Sequence, residues 1–378
     1  MDSRKPTAID LFCGAGGMSL GFEQAGFDVV AAFDRQEFNI ATHILNFPNT
    51  RAFVRDLSRL DGCELRKLAR VGRRNIDVVF GGPPCQGFSV GGRRDLADPR
   101  NQLVYHFARL VRQLRPKYFV MENVKGLMQG HARTVLESFL RRIKRAGYAV
   151  VEPTQVLNAE DYGVPQRRHR TFILGCRQGL ALPSYPLREG FYDDNGREHF
   201  PNVRDAISDL PDIDSYMELF TEDQFPKNLR QTKNAYALLM RGELVAYDDI
   251  SDRAEPDCTC LSGCLRTAHS AAIIKRFMKT PMGVAEPISR YIRLAWDDVA
   301  PTLRAGTGAD RGSHTAPRPI HPEKPRCITT REAARLHSFP DWFRFHGTRW
   351  HDFRQIGNSV PPLLAKAVAK QIFASLDK

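Results

Sequence analysis

Long apolar runs are missing from the 378-residue chain, and none approaches the roughly 18 consecutive residues that a membrane-spanning helix requires. The opening MDSRKPTAIDLF also lacks the apolar core and small-residue cleavage site of an export signal. A cytoplasmic protein without membrane association is therefore expected. Cysteine is scarce, with 8 residues scattered over the whole length, which argues against a disulfide scaffold and predicts reduced thiols. Any cysteine with a special role is then catalytic or metal-binding. There is no internal repeat and no long low-complexity tract. Acidic residues are in the minority, 43 Asp and Glu against 55 Lys and Arg, and the net charge of +12 favours an anionic partner, nucleic acid being the commonest large one. Solubility alone would explain the charge as well, so it supports a nucleic-acid function without establishing one.

What is present is a regular alternation. TAIDLF, FDVVAAF, IDVVFGG, KYFVMEN and HRTFILG read as buried strands. Between them MSLGFEQAG, FNIATHILNF, NQLVYHFARLVRQL and RTVLESFLRRIKRAG carry apolar residues at helical spacing. The pattern predicts an α/β fold with a doubly wound, mostly parallel sheet covered on both faces. Such sheets bind ligands at the carboxyl ends of their strands, and the Gly- and Pro-rich loops fall there. Past about residue 177 the alternation stops, and segments such as DDNGREH and RAGTGADRGSHTAPRPIHPEKP read as turns and loops of a second, smaller, irregular domain. PPLLAKAVAKQIFASL then returns as an amphipathic helix able to pack back onto the first domain. The expected division is residues 1–178 with 350–378, and residues 179–349.

Four segments carry candidate chemistry. In GGPPCQGFSVGG, Cys85 sits behind Pro83 and Pro84 and between glycine pairs, a stiff loop that presents one side chain to a closely approaching ligand. IDLFCGAGGMSLGFEQAGF places Gly14, Gly16 and Gly17 between a strand and a helix, where backbone amides can meet a ligand. Asp34 ends the next strand and is placed to accept hydrogen bonds from ribose hydroxyls. A nicotinamide or flavin enzyme would share these two features, and a structural turn would account for the glycines. YFVMENV delivers Glu122 to the same sheet edge as Cys85, where a carboxylate could also simply be solvated. AEDYGVPQRRHRTFILG sets Gln166, Arg168 and Arg170 at alternating positions, hence on one face. A solvated basic face is the plainer reading, although cations near a cysteine would lower its thiol pKa.

Together these segments resemble the cytosine-5 DNA methyltransferase family. Six pieces fall in that family's order: DLFCGAGG, GGPPCQGFS, MENV, DYGVPQRRHR, ITTREAARLHSFPDWF and QIGNSVPPLLAKAVA. The resemblance covers residues 7–178 and 326–374 and implies the S-adenosylmethionine-dependent methyltransferase fold, with S-adenosyl-L-methionine as methyl donor. It implies that Cys85 adds to carbon 6 of a cytosine flipped out of the duplex, and that Glu122 contacts ring nitrogen 3 and the exocyclic amine. Arg168 would steady the base and phosphates, with Arg170 and Gln166 organising the pocket. For the donor it implies Phe12, Gly14 and Gly16 at the methionine and adenine region, Asp34 at the ribose, and Asp56 at the adenine amine. Ala15, Gly17, Arg35, Leu57 and Pro83 lie beside them, and Asn358, Ser359 and Val360 close the pocket.

The loop SVGGRRDLADPRN, with Ser89, Arg93, Arg94 and Arg100, is expected to close over DNA. The second domain reads as a target-recognition region, with Arg304, Arg311 and Thr330 as expected DNA contacts. CTCLSGCLRTAH offers Cys258, Cys260, Cys264 and His269 as zinc ligands, but the spacing is not a standard pair, the family calls for no metal there, and none is expected. The sequence thus points to a monomeric, sequence-specific DNA (cytosine-5)-methyltransferase of a restriction-modification system. Its expected partners are double-stranded DNA and, without a stable complex, an endonuclease acting on the same site. A transfer RNA cytosine-5 methyltransferase on the same scaffold is the first alternative. A catalytically silent DNA-binding protein is the second, and intact Cys85, Glu122 and Arg168 argue against it.

Overall fold

The computed structural model describes residues 4–84, 102–130, 132–192, 196–226, 229–244, 249, 251, 260–306 and 318–376. Its centre is a sheet built from β1 (Thr7–Leu11), β2 (Asp28–Asp34), β3 (Arg51–Val54), β4 (Val78–Gly81), β5 (Tyr118–Val124), β6 (Tyr148–Val150), β7 (Gln155–Asn158) and β8 (His169–Arg177). The order is β3-β2-β1-β4-β5-β8-β6, with β7 also paired to β8. The first five strands are mutually parallel, whereas β8 runs antiparallel to β5, β6 and β7. The expected doubly wound, mostly parallel sheet is therefore present, with an antiparallel edge. The chain winds outward from β1 to β3 and then restarts on the other side of β1 with β4. The crevice between β1 and β4 is thus the topological switch point, where ligands of such sheets bind.

Alternate residues of each strand feed opposite layers, as a period of two dictates. Ile9, Leu11, Phe119 and Met121 pack under α3 (Gly62–Leu68), α4 (Leu103–Leu114) and α5 (Ala132–Arg145). Ala8, Phe80, Tyr118 and Val120 pack on the other face under α1 (Gly17–Gln24) and the C-terminal helix Pro362–Leu376. That returning helix buries Leu364, Val368 and Ile372 at four-residue spacing. It lies so close to α1 that a Cβ on Gly21 would come within 2.5 Å of the Lys366 nitrogen. Between β2 and β3, α2 (Glu37–Asn46) completes the first half.

Among the described residues, nothing between 179 and 349 adds a strand to this sheet. That region holds α6 (Val203–Ile207), α7 (Ala235–Arg241), α8 (Ala271–Lys279) and α9 (Thr330–Arg335), followed by α10 (Arg349–Asn358) and α11, the helix Pro362–Leu376. A third core joins Leu20 and Phe47 to Val203, Phe339, Phe343, Phe353 and Ile356, so α1 and α2 share apolar packing with this region. Arginines are used inside it. Arg335, fully buried, pairs with Asp341 at 2.6 Å and Asp209 at 3.2 Å, and Arg326 pairs with Glu332 at 2.8 Å.

Candidate active site

The exits of β1, β4 and β5 lie side by side, and glycines let them approach. A Cβ on Gly81 would sit 1.7 Å from the Leu11 carbonyl oxygen, and one on Gly82 would sit 2.6 Å from Glu122 Oε2. Only glycine fits at 81, against a neighbouring backbone, and a side chain at 82 would have to displace the Glu122 carboxyl. Asn123 Nδ2 then donates to the Pro83 carbonyl at 3.2 Å, so the end of β5 holds the backbone that leads to Cys85. Cys85 itself lies outside the described residues, as do Ser89, Arg93, Arg94, Arg100, Arg311 and Cys258.

Glu122 is buried and paired with Arg170, whose Nε is 2.8 Å from Oε1. Register explains the pair, because Val124 lies opposite Arg170 and Glu122 opposite Phe172 on the antiparallel neighbour. Burial pushes the Glu122 carboxyl above the usual range, against the opposing pull of Arg170 and Arg168. A carboxyl that resists ionisation while hydrogen-bonded at a sheet edge is suited to hold a proton for a ring nitrogen.

The structure corrects the expected division of labour among the basic residues. Arg168 is fully buried and its guanidinium is taken up by backbone carbonyls: Leu303 at 3.0 Å, Gly357 at 2.6 Å and Ser359 at 2.8 Å. It is a clasp between the β8 entry and two distant segments, while Arg170 is the cation on Glu122. Gln166 extends the clasp. Its Nε2 donates to the Leu336 carbonyl at 3.1 Å and lies 2.9 Å from His337 Nδ1, and its Oε1 accepts from Leu303 N at 3.1 Å. Burial and the nearby Arg168 hold His337 neutral. With Nδ1 accepting from Gln166, its Nε2–H donates to the Ser359 carbonyl at 3.0 Å. His337 escaped the sequence reading because nothing local distinguishes it from an ordinary helix-end histidine.

At the switch point Phe12 (φ 65) and Gly14 (φ 55) take left-handed conformations in the loop after β1. A Cβ on Gly14 would meet nothing within 4 Å. Asp34 Oδ2 accepts from Gly14 N at 3.0 Å, and its Oδ1 accepts from Gln36 N and Asn39 Nδ2. Asp56, two residues past the end of β3, accepts from Ser58 N at 2.9 Å and Ser58 Oγ at 2.7 Å, and that bonding lowers its pKa. Leu57 and Ala15 are buried, and Arg35 and Asn358 are exposed. Gly17 abuts the returning segment, since its Cβ would lie 2.3 Å from the Val360 carbonyl and 3.2 Å from Ser359 Cβ. Beneath this loop Ser19 Oγ donates to Asp10 Oδ2 at 2.7 Å, while Asp10 Oδ1 is buried without a partner among the described residues. Open space over Gly14, beside a strand-end carboxylate that backbone amides and Asn39 hold in place, fits a ligand bearing ribose hydroxyls, so these residues suit a nucleoside cofactor.

Two expected DNA contacts lie among the described residues. Arg304 is exposed, but Thr330 is buried in the first turn of α9. In that turn Thr329 and Glu332 form a capping box and Arg331 Nη1 donates to the Pro340 carbonyl at 3.0 Å. Thr330 presents no surface to DNA, so that expectation is corrected: burial of the "TRE" segment makes it an anchor of the third core. Among the described residues no group of three His, Cys, Asp or Glu could hold a metal. His269 Nε2 is instead an acceptor for Cys327 N at 3.3 Å.

The sheet order, the glycine loop after its first strand and the Gly-Gly-Pro-Pro exit of its fourth define an α/β methyltransferase. More narrowly, the chain belongs to the C-5 cytosine-specific DNA methylase family, whose profile matches residues 7–374. It is 50% identical over 374 residues to the type II methyltransferase M.XorII of Xanthomonas oryzae pv. oryzae, covering 99% of this chain and 86% of that protein. It is 34% identical to the type II methyltransferase M.AgeI of Thalassovita gelatinovora, covering 96% and 98%. A crystal structure described as a DNA modification methyltransferase encoded within an Escherichia coli prophage superposes with a TM-score of 0.82 at 34% identity, over 99% of this chain and all of that one. No helix among the described residues is long and apolar enough to cross a membrane.

Proposed function

We propose that this DNA cytosine-5 methyltransferase uses Cys85 as a nucleophile on carbon 6 of a flipped-out cytosine, with Glu122 holding the proton at ring nitrogen 3. The observation that carries the reading is the packing of Gly82 and Pro83 against the buried Glu122–Asn123 pair, which ties the thiol-bearing loop to the proton-holding carboxyl. Cys85 forms a carbon–sulfur bond, the electron pair of the ring double bond moves towards carbon 5, and Glu122 supplies the proton that keeps nitrogen 3 neutral. Arg170 orients Glu122. S-adenosyl-L-methionine, when bound, supplies an electrophilic methyl group for carbon 5. Asp34 would hold its ribose and Asp56 its adenine amine, with Phe12, Gly14 and the 358–360 segment around it. Loss of the carbon 5 proton to solvent base then releases the Cys85 thiolate, and the nitrogen 3 proton returns to Glu122.

Residues 1–178 with 350–378 form the catalytic part in this reading, and 179–349 select the target sequence, with Arg304 as an exposed DNA contact. The type II relatives support a restriction-modification setting, in which an endonuclease shares the DNA site and no stable complex is needed. The enzyme works as a cytoplasmic monomer. The test is expression in a host lacking cytosine methylation, followed by conversion sequencing of its DNA beside a Cys85→Ala control. One recurring methylated motif, absent from the control, is expected. Methylation that persists in the control would remove Cys85 from the mechanism.

A further inference from the structure

Residues 66–74, RKLARVGRR, hold five basic side chains and no carboxylate. Arg66, Arg73 and Arg74 of this segment meet Arg115, which follows α4, and Arg177, which ends β8, around one open cleft of about 350 Å³. Among the described residues no acidic side chain lines it. Asp77, at the foot of β4, is engaged by Lys117 Nζ at 2.8 Å. The cleft is built by fixed contacts. Arg66 Nη1 donates to the carbonyls of Gly72 at 3.1 Å and Arg74 at 3.0 Å, and its Nη2 donates to the Leu114 carbonyl, tying the loop to the end of α4. Arg177 N donates to the Lys117 carbonyl at 2.8 Å, and its Nε is buried without a hydrogen-bond partner among the described residues.

Position separates this cleft from the active site. Along β8, Arg170 lies at the catalytic edge opposite Val124, and Cys176 lies at the far edge opposite Tyr118. At about 3.3 Å per residue, Arg177 is roughly 23 Å from Arg170 along the strand, beside the starts of β4 and β5 rather than their exits. DNA stays straight over a persistence length of about 150 base pairs, so a short duplex seated at the catalytic edge does not bend round to this side.

We propose that the cleft is a second nucleic-acid site, which takes the phosphodiester backbone of a DNA segment other than the one being methylated. The proposal rests on DNA being the substrate and adds a separate surface for it. Planar guanidinium groups with no neighbouring carboxylate suit phosphate oxygens, and an open row of them suits a polymer whose counterions are released on contact. A second segment held there would keep the enzyme on long DNA while the catalytic edge changes sites.

The test compares the wild type with the R73A/R74A/R115A variant, whose substitutions are all exposed and outside the catalytic machinery. Protein saturated with an unlabelled target duplex of about 20 base pairs is titrated with a labelled non-target duplex of the same length. The expected result is a second binding event in the wild type, weakened at least about tenfold in the variant. The slope of log K against log salt should be shallower by about 2.7 for three lost phosphate contacts. Methylation of the short target should be unchanged. Absence of a second event, or one equally strong in the variant, overturns the proposal. So does a fall in short-duplex methylation, which would assign the cleft to the catalytic DNA path, or displacement by inorganic phosphate as readily as by duplex. A wild type that binds both duplexes but methylates neither would fault the catalytic reading alone.

Discussion

Replacing Arg168 by methionine keeps the length of the side chain and removes every donor, leaving the carbonyls of Leu303, Gly357 and Ser359 without that partner. A hydrogen bond to a charged group contributes about 1.5–3 kcal/mol, and there are three. Against this, methionine avoids the several kcal/mol needed to bury a guanidinium. The net loss is about 3 kcal/mol. Unfolding entropy of about 2.1 cal/mol/K per residue gives 378 residues about 0.8 kcal/mol/K, so the melting temperature should fall by about 4 °C. The loss should also reach the cofactor, because Gly357 and Ser359 flank Asn358. Thermal melting with and without S-adenosylmethionine, alongside steady-state kinetics, should show a lower melting point, weaker stabilisation by the donor and a raised KM for it. A variant that melts like the wild type and binds the donor normally, yet loses more than about a hundredfold in kcat, would refute the clasp. The guanidinium would then act on the base, as the family resemblance implied.

Glu122→Gln keeps the shape but cannot give up a proton, so kcat should fall by about 10²–10⁴ with DNA binding retained. Burial raises the Glu122 pKa, so its protonated form persists to higher pH than a free carboxyl, and the wild-type rate should fall as pH rises through that raised value. Arg170→Met removes a cation that holds the pKa down and should move that limb to higher pH in the pH–rate profile. Asp10, buried beneath the glycine loop, has its pKa pushed up to about 8 from an ordinary 3.8. Its contribution to stability is complete below the ordinary value and is lost as pH rises to about 8, by up to about 1.36 kcal/mol per pH unit. Asp10→Asn still accepts from Ser19 and does not titrate, so its urea midpoint relative to wild type should improve between about pH 5 and pH 8.5. Gly17→Ala would drive a methyl group to 2.3 Å from the Val360 carbonyl, which should destabilise by about 1–3 kcal/mol and weaken donor binding in calorimetry.

Most of the sheet was legible because buried parallel strands are short apolar runs with little ambiguity, and β1, β2, β4, β5 and β8 all stand where such runs occur. β3 was not, because RAFV is half exposed at the sheet edge, and neither were the short strands β6 and β7. The antiparallel sense of β8 was hidden too, since an apolar run carries no direction. At the site, the glycine and proline spacings located the loops, and alternation put Gln166, Arg168 and Arg170 on one face. Alternation cannot say which of three like residues will be covered. That depended on Leu303 and on residues 357–359, which arrive from more than a hundred positions away. The same blindness applied to charge. Arg326, Arg331 and Arg335 add to the net +12 like any surface cation, yet they are interior partners of carboxylates and carbonyls. The basic run at 66–74 is legible in composition, but only the fold brings Arg115 and Arg177 to it.

These placements give the family's scattered motifs a common mechanical reason. The Ser359 carbonyl accepts from both Arg168 and His337, Gln166 holds His337 in the tautomer that does so, and Gln166 also receives Leu303 N. One buried network therefore positions the entry to β8, hence Arg170 on Glu122, and the segment beside Gly17 at the donor pocket. Groups that share a network do not lose their contributions independently. Once Arg168 is gone, the Ser359 segment is already loosened, and removing the His337 imidazole has less left to disturb. The double variant Arg168→Met, His337→Leu should accordingly lose less donor affinity than the two single losses combined, with a coupling of about 0.5–3 kcal/mol. Strict additivity would mean that the proton-holding and donor-holding halves of the site are positioned separately. The shared carbonyl would then be an incidental contact of the fold.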